Sequence, residues 1–154
     1  MKLAGRFVFV FQWIAPVVLI VWVLMGRGLF GAPLGWYAAI GLFFAPFVLV
    51  AMYIPPVLVL FDRPARQAGR VRQAYEIASY VLWGLMVIMG IVMVDGGDDG
   101  NIGSALTVWT GMDTELGEMM LMPMLFVFTV ALMAQFVIAI MGIVASRKVA
   151  APTR

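Results

Sequence analysis

LGWYAAIGLFFAPFVLVAMYIPPVLVLF, residues 34–61, runs without a charged side chain and is followed at once by DRPARQAGRVR, residues 62–72. A hydrocarbon layer about 30 Å thick is crossed by roughly 20 apolar residues in helical form, so the first stretch can span it. The second supplies the basic flank such spans carry on the cytoplasmic side. Three further apolar blocks lie around this one: Phe7–Met25, Ala74–Val94 and Glu118–Ala145. The pattern predicts an all-α membrane protein, a single domain over residues 1–154. Its fold is a four-transmembrane-helix bundle with helices at about 7–25, 34–61, 74–94 and 118–145 and an acidic outer loop at 95–117.

Composition agrees. Hydrophobic residues make up 64% of the chain and charged residues 12%, against about 25% charged in an ordinary soluble domain. Such a chain cannot cover a water-facing surface. Within the second block, Pro46 predicts a bend and Pro55-Pro56 a break, because proline removes a helical N–H and crowds the preceding turn. The first block follows Lys2 and Arg6 as a signal peptide would. Its apolar length exceeds the roughly 7–15 residues of a signal core and no small-x-small cleavage site follows, so a retained helix is expected.

Sidedness follows from Lys and Arg in the short connecting segments. Lys2, Arg6, Arg63, Arg66, Arg70, Arg72, Arg147, Lys148 and Arg154 fall on one side and only Arg27 on the other. Both termini and the middle loop are therefore expected in the cytoplasm. Glycine, alanine and arginine usage resembles that of a GC-rich bacterium, so the expected location is a bacterial inner membrane. The small net charge of +2, with basic residues scattered in short segments, leaves no footprint for nucleic acid.

Cysteine and histidine are both absent. That removes thiolate and imidazole metal ligands, the usual axial ligands of haem and the commonest general base. No catalytic centre and no cofactor are expected. The run Asp95-Gly-Gly-Asp98-Asp99-Gly100-Asn101 offers oxygen ligands for a hard cation at Asp95, Asp98, Asp99 and Asn101. It lacks the alternate spacing and distal glutamate of an EF-hand, so it reads first as a solvated acidic turn with Gly96 stopping the third helix. Met25, Met89, Met93, Met112, Met119, Met120, Met122 and Met124 gather toward the outer side and invite a Cu(I) reading. Without Cys or His, and scattered around their helix, they read as packing residues.

No ionisable side chain falls in the middle of any block, which counts against a proton relay or an ion-coupled antiporter. The deep polar groups are neutral: Gln12, Tyr37, Tyr53, Ser79, Tyr80, Thr129 and Gln135. Trp22, Trp36 and Trp109 fit the outer aromatic belt, and Trp13 and Trp83 lie deeper. In the fourth block Ala131, Ala134, Gln135, Ala139, Gly142, Ala145 and Ser146 recur at three- and four-residue steps. Small residues let helix backbones approach, so this stripe is a candidate interface, with Gln135 in need of a partner. Leu132, Phe136, Val137, Ile140 and Val144 form the opposite surface. The stripe either meets another protein or packs on this chain's own helices.

The functional expectation is a non-catalytic membrane subunit that packs against and stabilises a larger inner-membrane complex, such as a respiratory, transport or envelope assembly. Its partners would be the lipid bilayer and other membrane-protein subunits. The alternative is a small homo-oligomeric transporter or channel for a neutral or small solute.

Overall fold

A computed structural model describes residues 2–98 and 100–150 of the chain. It is 81% helical, as an all-α membrane protein requires. In chain order the elements are α1 (Lys2–Phe11), α2 (Ala15–Met25), a 3-10 segment (Gly26–Phe30), α3 (Trp36–Val59), α4 (Arg63–Ala68) and α5 (Gln73–Val92). A hairpin of β1 (Asp95–Gly97) and β2 (Gly100–Ile102), a short α6 (Ala105–Thr110) and the long α7 (Thr114–Ala150) follow. Three helices, α3, α5 and α7, are long and apolar enough to cross a membrane, or four spans exist if the bent pair α1–α2 counts as one.

The four long elements close a ring. α2 packs on α3 and α5, and α7 packs on the same two. Between lipid-solvated helices water expulsion contributes little, so contact shape and hydrogen bonds hold the ring. Val8, Leu19, Met52, Tyr75, Leu82, Trp83, Met86, Leu132 and Ala139 form its core. Leu132 is thus buried, where the sequence placed it on the surface opposite the small-residue stripe.

The first block departs from a single helix over 7–25. The chain turns at Gln12–Ile14, and the pieces on either side are bent by 72°. Pro16 is the cause: it cannot donate to the carbonyl of Gln12, and its ring crowds that carbonyl. Backbone freed at depth needs side-chain partners. The Gln12 amide donates to the Phe9 carbonyl at 2.9 Å. The Tyr53 hydroxyl reaches from α3 to the Trp13 carbonyl at 2.8 Å, with the two rings stacked at 6.3 Å.

α3 does not break at Pro55. It continues to Val59, with Met52, Pro55, Pro56 and Val59 all buried. Packing of the proline face against the bundle outweighs the hydrogen bonds that Ala51 and Met52 lose. Nor does Gly96 end the third helix: α5 stops at Val92 through the extended Met93, and Gly96 pairs with Asn101 inside the hairpin. The segment 95–117 is therefore structured. Ser104 caps α6, its hydroxyl accepting from the Thr107 N–H at 3.2 Å. Trp109 of α6 meets Phe30 edge-on at 4.6 Å. α7 begins four residues before the expected span and passes beyond its end, to Ala150.

Candidate functional site

Three nodes of bonded polar side chains join different elements of the ring, one at each end and one between. At the end holding the hairpin, α3 starts at Gly35, which has no side chain to cap the free N–H groups of the first turn. Asp95 supplies the cap from a distant part of the sequence. One carboxylate oxygen accepts from Gly35 N–H at 2.8 Å and Ala38 N–H at 3.2 Å. The other accepts from Tyr37 N–H at 2.6 Å and from Gly96 N–H at 2.8 Å. The positive end of the α3 dipole favours this charge. Arg27, on the 3-10 segment, places its guanidinium 3.1 Å from the same carboxylate, and both side chains are almost wholly enclosed. Asp98 accepts from the Trp36 indole N–H at 2.8 Å.

Asp95 is consequently not free to ligate a cation. Its oxygens are committed to α3 and Arg27, and Asp98 turns to Trp36. The backbone of Asn101 lies in β2, and Asp99 lies outside the described residues. Among the described residues no group of three or more acidic side chains could hold a metal ion.

At the opposite end Asp62 is buried just before α4, and Arg72 binds it in a fork, Nε at 2.5 Å and Nη2 at 3.2 Å. Nη2 also points to the Gly142 carbonyl of α7 at 3.4 Å. The hydrogen bond to Asp62 raises the Arg72 pKa above its already high ordinary value, so the clamp keeps its positive partner at physiological pH. A Cβ at Gly142 would press on the Asp62 carboxylate. Val71 N–H donates to the Gly5 carbonyl at 3.1 Å and ties α1 to this end.

Between the ends, the Gln135 amide donates to the Ser79 hydroxyl at 2.9 Å, and Ser79 donates to the Tyr75 carbonyl at 2.8 Å. Gln135 and Ser79 are 3% and 0% exposed, so this chain of bonds sits inside the α5–α7 contact. Of the small stripe on α7, Gln135, Ala139, Gly142 and Ser146 are buried, Ala131 and Ala145 are half-buried, and Ala134 is exposed. The buried members face this chain's own helices.

Toward the hairpin end the ring leaves a half-open pocket of about 170 Å³ lined mainly by apolar side chains of α2, α3, α5 and α7, including Leu24, Phe44, Met86, Met89 and Phe128. Gly41 lines it, and Gly90 marks a close approach of α2 to α5. A Cβ at Gly41 would overlap Leu24, and one at Gly90 would overlap the Trp22 indole, whose N–H donates to the Val87 carbonyl at 3.0 Å.

Sequence reasoning passed over Arg27, Asp62 and Arg72 as partners. The signal was present in charge placement. Among the described residues Arg27 is the lone basic residue at its end, and Asp95 is the acidic residue that follows the third apolar block most closely.

These nodes lie in a mostly helical protein with three helices long and apolar enough to cross a membrane, or four spans with the bent pair, and its two ion pairs sit at the ends of those helices. No family model matches the chain, and no curated protein or solved structure matches it.

Proposed function

We propose that this chain is a non-catalytic integral subunit of a bacterial inner membrane that packs against and stabilises a larger membrane-protein complex, such as a respiratory, transport or envelope assembly. In this reading α1–α2 make one bent crossing and the chain crosses four times, with α3 bent at Pro46. Both termini and Arg63–Arg72 lie in the cytoplasm.

One observation carries the reading. Five of the seven deep polar groups, Gln12, Tyr53, Ser79, Thr129 and Gln135, bond within the chain, while the most exposed side chains on the uncovered faces of α3 and α7 are apolar. Phe43, Phe47 and Val50 on α3, and Phe126, Met133 and Val137 on α7, are more than half exposed. A pore assembled from copies of this chain would be lined by such faces, which offer no replacement for a solute's hydration shell. Partner helices and lipid suit them better.

The test is purification of the tagged chain from its native membranes in mild detergent. Foreign subunits in fixed stoichiometry are expected. A homo-oligomer free of other polypeptides would favour the pore and overturn the proposal.

A further inference from the structure

At the basic end of the ring a cleft of about 390 Å³ opens between the start of α1, α4 and the first turn of α5. Small-molecule sites commonly span about 300–1,000 Å³, so the space suits a compact ligand. Gly5 forms part of its wall, and a Cβ there would press on the Val71 carbonyl and the Glu76 carboxylate. Arg70 and Glu76 face the same cleft. Among the described residues neither has an ion-pair or side-chain hydrogen-bond partner. The twenty-residue α5 starts here with no side-chain cap at Arg72, which leaves N–H donors and the positive end of a helix dipole at the cleft. Arg72 itself is engaged by Asp62.

Both signs of charge thus meet in one cavity. A bare anion would face the Glu76 carboxylate, and a bare cation would face Arg70 and the α5 terminus. A ligand carrying both charges a few bonds apart meets each with its opposite. We propose that the cleft binds a phosphoethanolamine-type group, its phosphate toward Arg70 and the first turn of α5 and its primary ammonium toward Glu76. An ammonium with N–H donors is specified because a carboxylate accepts hydrogen bonds that a trimethylated nitrogen cannot give. The source is an amine-bearing phospholipid of the adjoining leaflet or a soluble glycerophosphoethanolamine. The lipid source rests on the membrane reading above, which labelling of the loops tests separately.

Native mass spectrometry of the delipidated full chain decides it, with phosphatidylethanolamine, phosphatidylcholine, phosphatidylglycerol, glycerophosphoethanolamine and inorganic phosphate as probes. Phosphatidylethanolamine should be retained about tenfold better than either other lipid, the weight of one charge-assisted hydrogen bond. Glu76→Gln should abolish the preference over phosphatidylglycerol, and Arg70→Gln should lower retention of both, each with an unchanged melting temperature. Displacement by glycerophosphoethanolamine identifies headgroup chemistry as sufficient; selective retention without displacement assigns the site to the lipid. Equal retention of the three lipids overturns the proposal. So does competition by inorganic phosphate as effective as that by glycerophosphoethanolamine, or a preference that survives both substitutions.

Discussion

The Arg27 guanidinium lies 3.1 Å from the Asp95 carboxylate, with 1% and 0% of the two side chains exposed. That carboxylate also accepts from three N–H groups at the start of α3. One residue therefore joins three segments: the 3-10 segment after α2, the beginning of α3 and the hairpin after α5. It also explains how Arg27 is tolerated at an end of the ring that, among the described residues, holds no other basic side chain.

Removing one member of a buried pair strands the other, at a cost of about 3–5 kcal/mol. Asp95→Asn should cost that much, since Arg27 loses its counter-charge and the α3 cap loses an acceptor. Arg27→Met should cost less, because Asp95 keeps its backbone donors. The double variant should be clearly more stable than the sum of the single losses predicts, as measured by unfolding in detergent. Strict additivity would mean that the two side chains do not interact.

Gly90 admits the Trp22 indole against α5. Gly90→Ala should overpack this contact and destabilise by about 1–3 kcal/mol. Gly84→Ala, on the same helix with open space around it, should be neutral or stabilising by up to about 1 kcal/mol, since alanine is the better helix former. A smaller residue at Trp22 should rescue Gly90→Ala. Equal melting temperatures for the two alanine variants would rule out the slot.

Ser79→Ala leaves the Gln135 amide without its acceptor inside the α5–α7 contact. Hydrogen bonds between membrane helices average about 0.6 kcal/mol and reach about 1.7; the upper part of that range is expected, because both groups are buried. Ser79→Ala with Gln135→Leu should recover much of the loss, since an apolar pair leaves nothing unsatisfied. A double variant weaker than the single one would contradict this.

Much of the helical plan was legible because long uncharged blocks have one physical use in a bilayer. The spans at 36–59 and 73–92 end within about two residues of where composition places them, the ordinary uncertainty of helix ends. Local proline chemistry was harder to weigh. Pro16 breaks its block because α2 begins around it, while Pro55 and Pro56 are overridden by burial that only the assembled ring supplies. The stripe on α7 was readable from spacing, but the side each member faces was not: Ala134 points out and Leu132 in. Asp95 was visible as an oxygen ligand. Its role as the cap of a helix nearly sixty residues earlier depends on tertiary closure that no local pattern carries.

Sidedness gives a separate prediction. A cysteine introduced at Gly100, in the hairpin, should react with an impermeant maleimide added to intact cells, and one at Gln67, in α4, should react only after permeabilisation. The reverse pattern would invert the orientation and move the Arg70–Glu76 cleft to the outer leaflet.

The most direct test of the subunit reading is photocrosslinking in native membranes from Phe47 on α3 and Met133 on α7, both exposed on the uncovered faces. At one or both positions a discrete adduct with a different polypeptide is predicted, and it should be absent when the probe replaces the buried Leu82. Adducts with lipid alone, or with a second copy of this chain alone, would contradict the account.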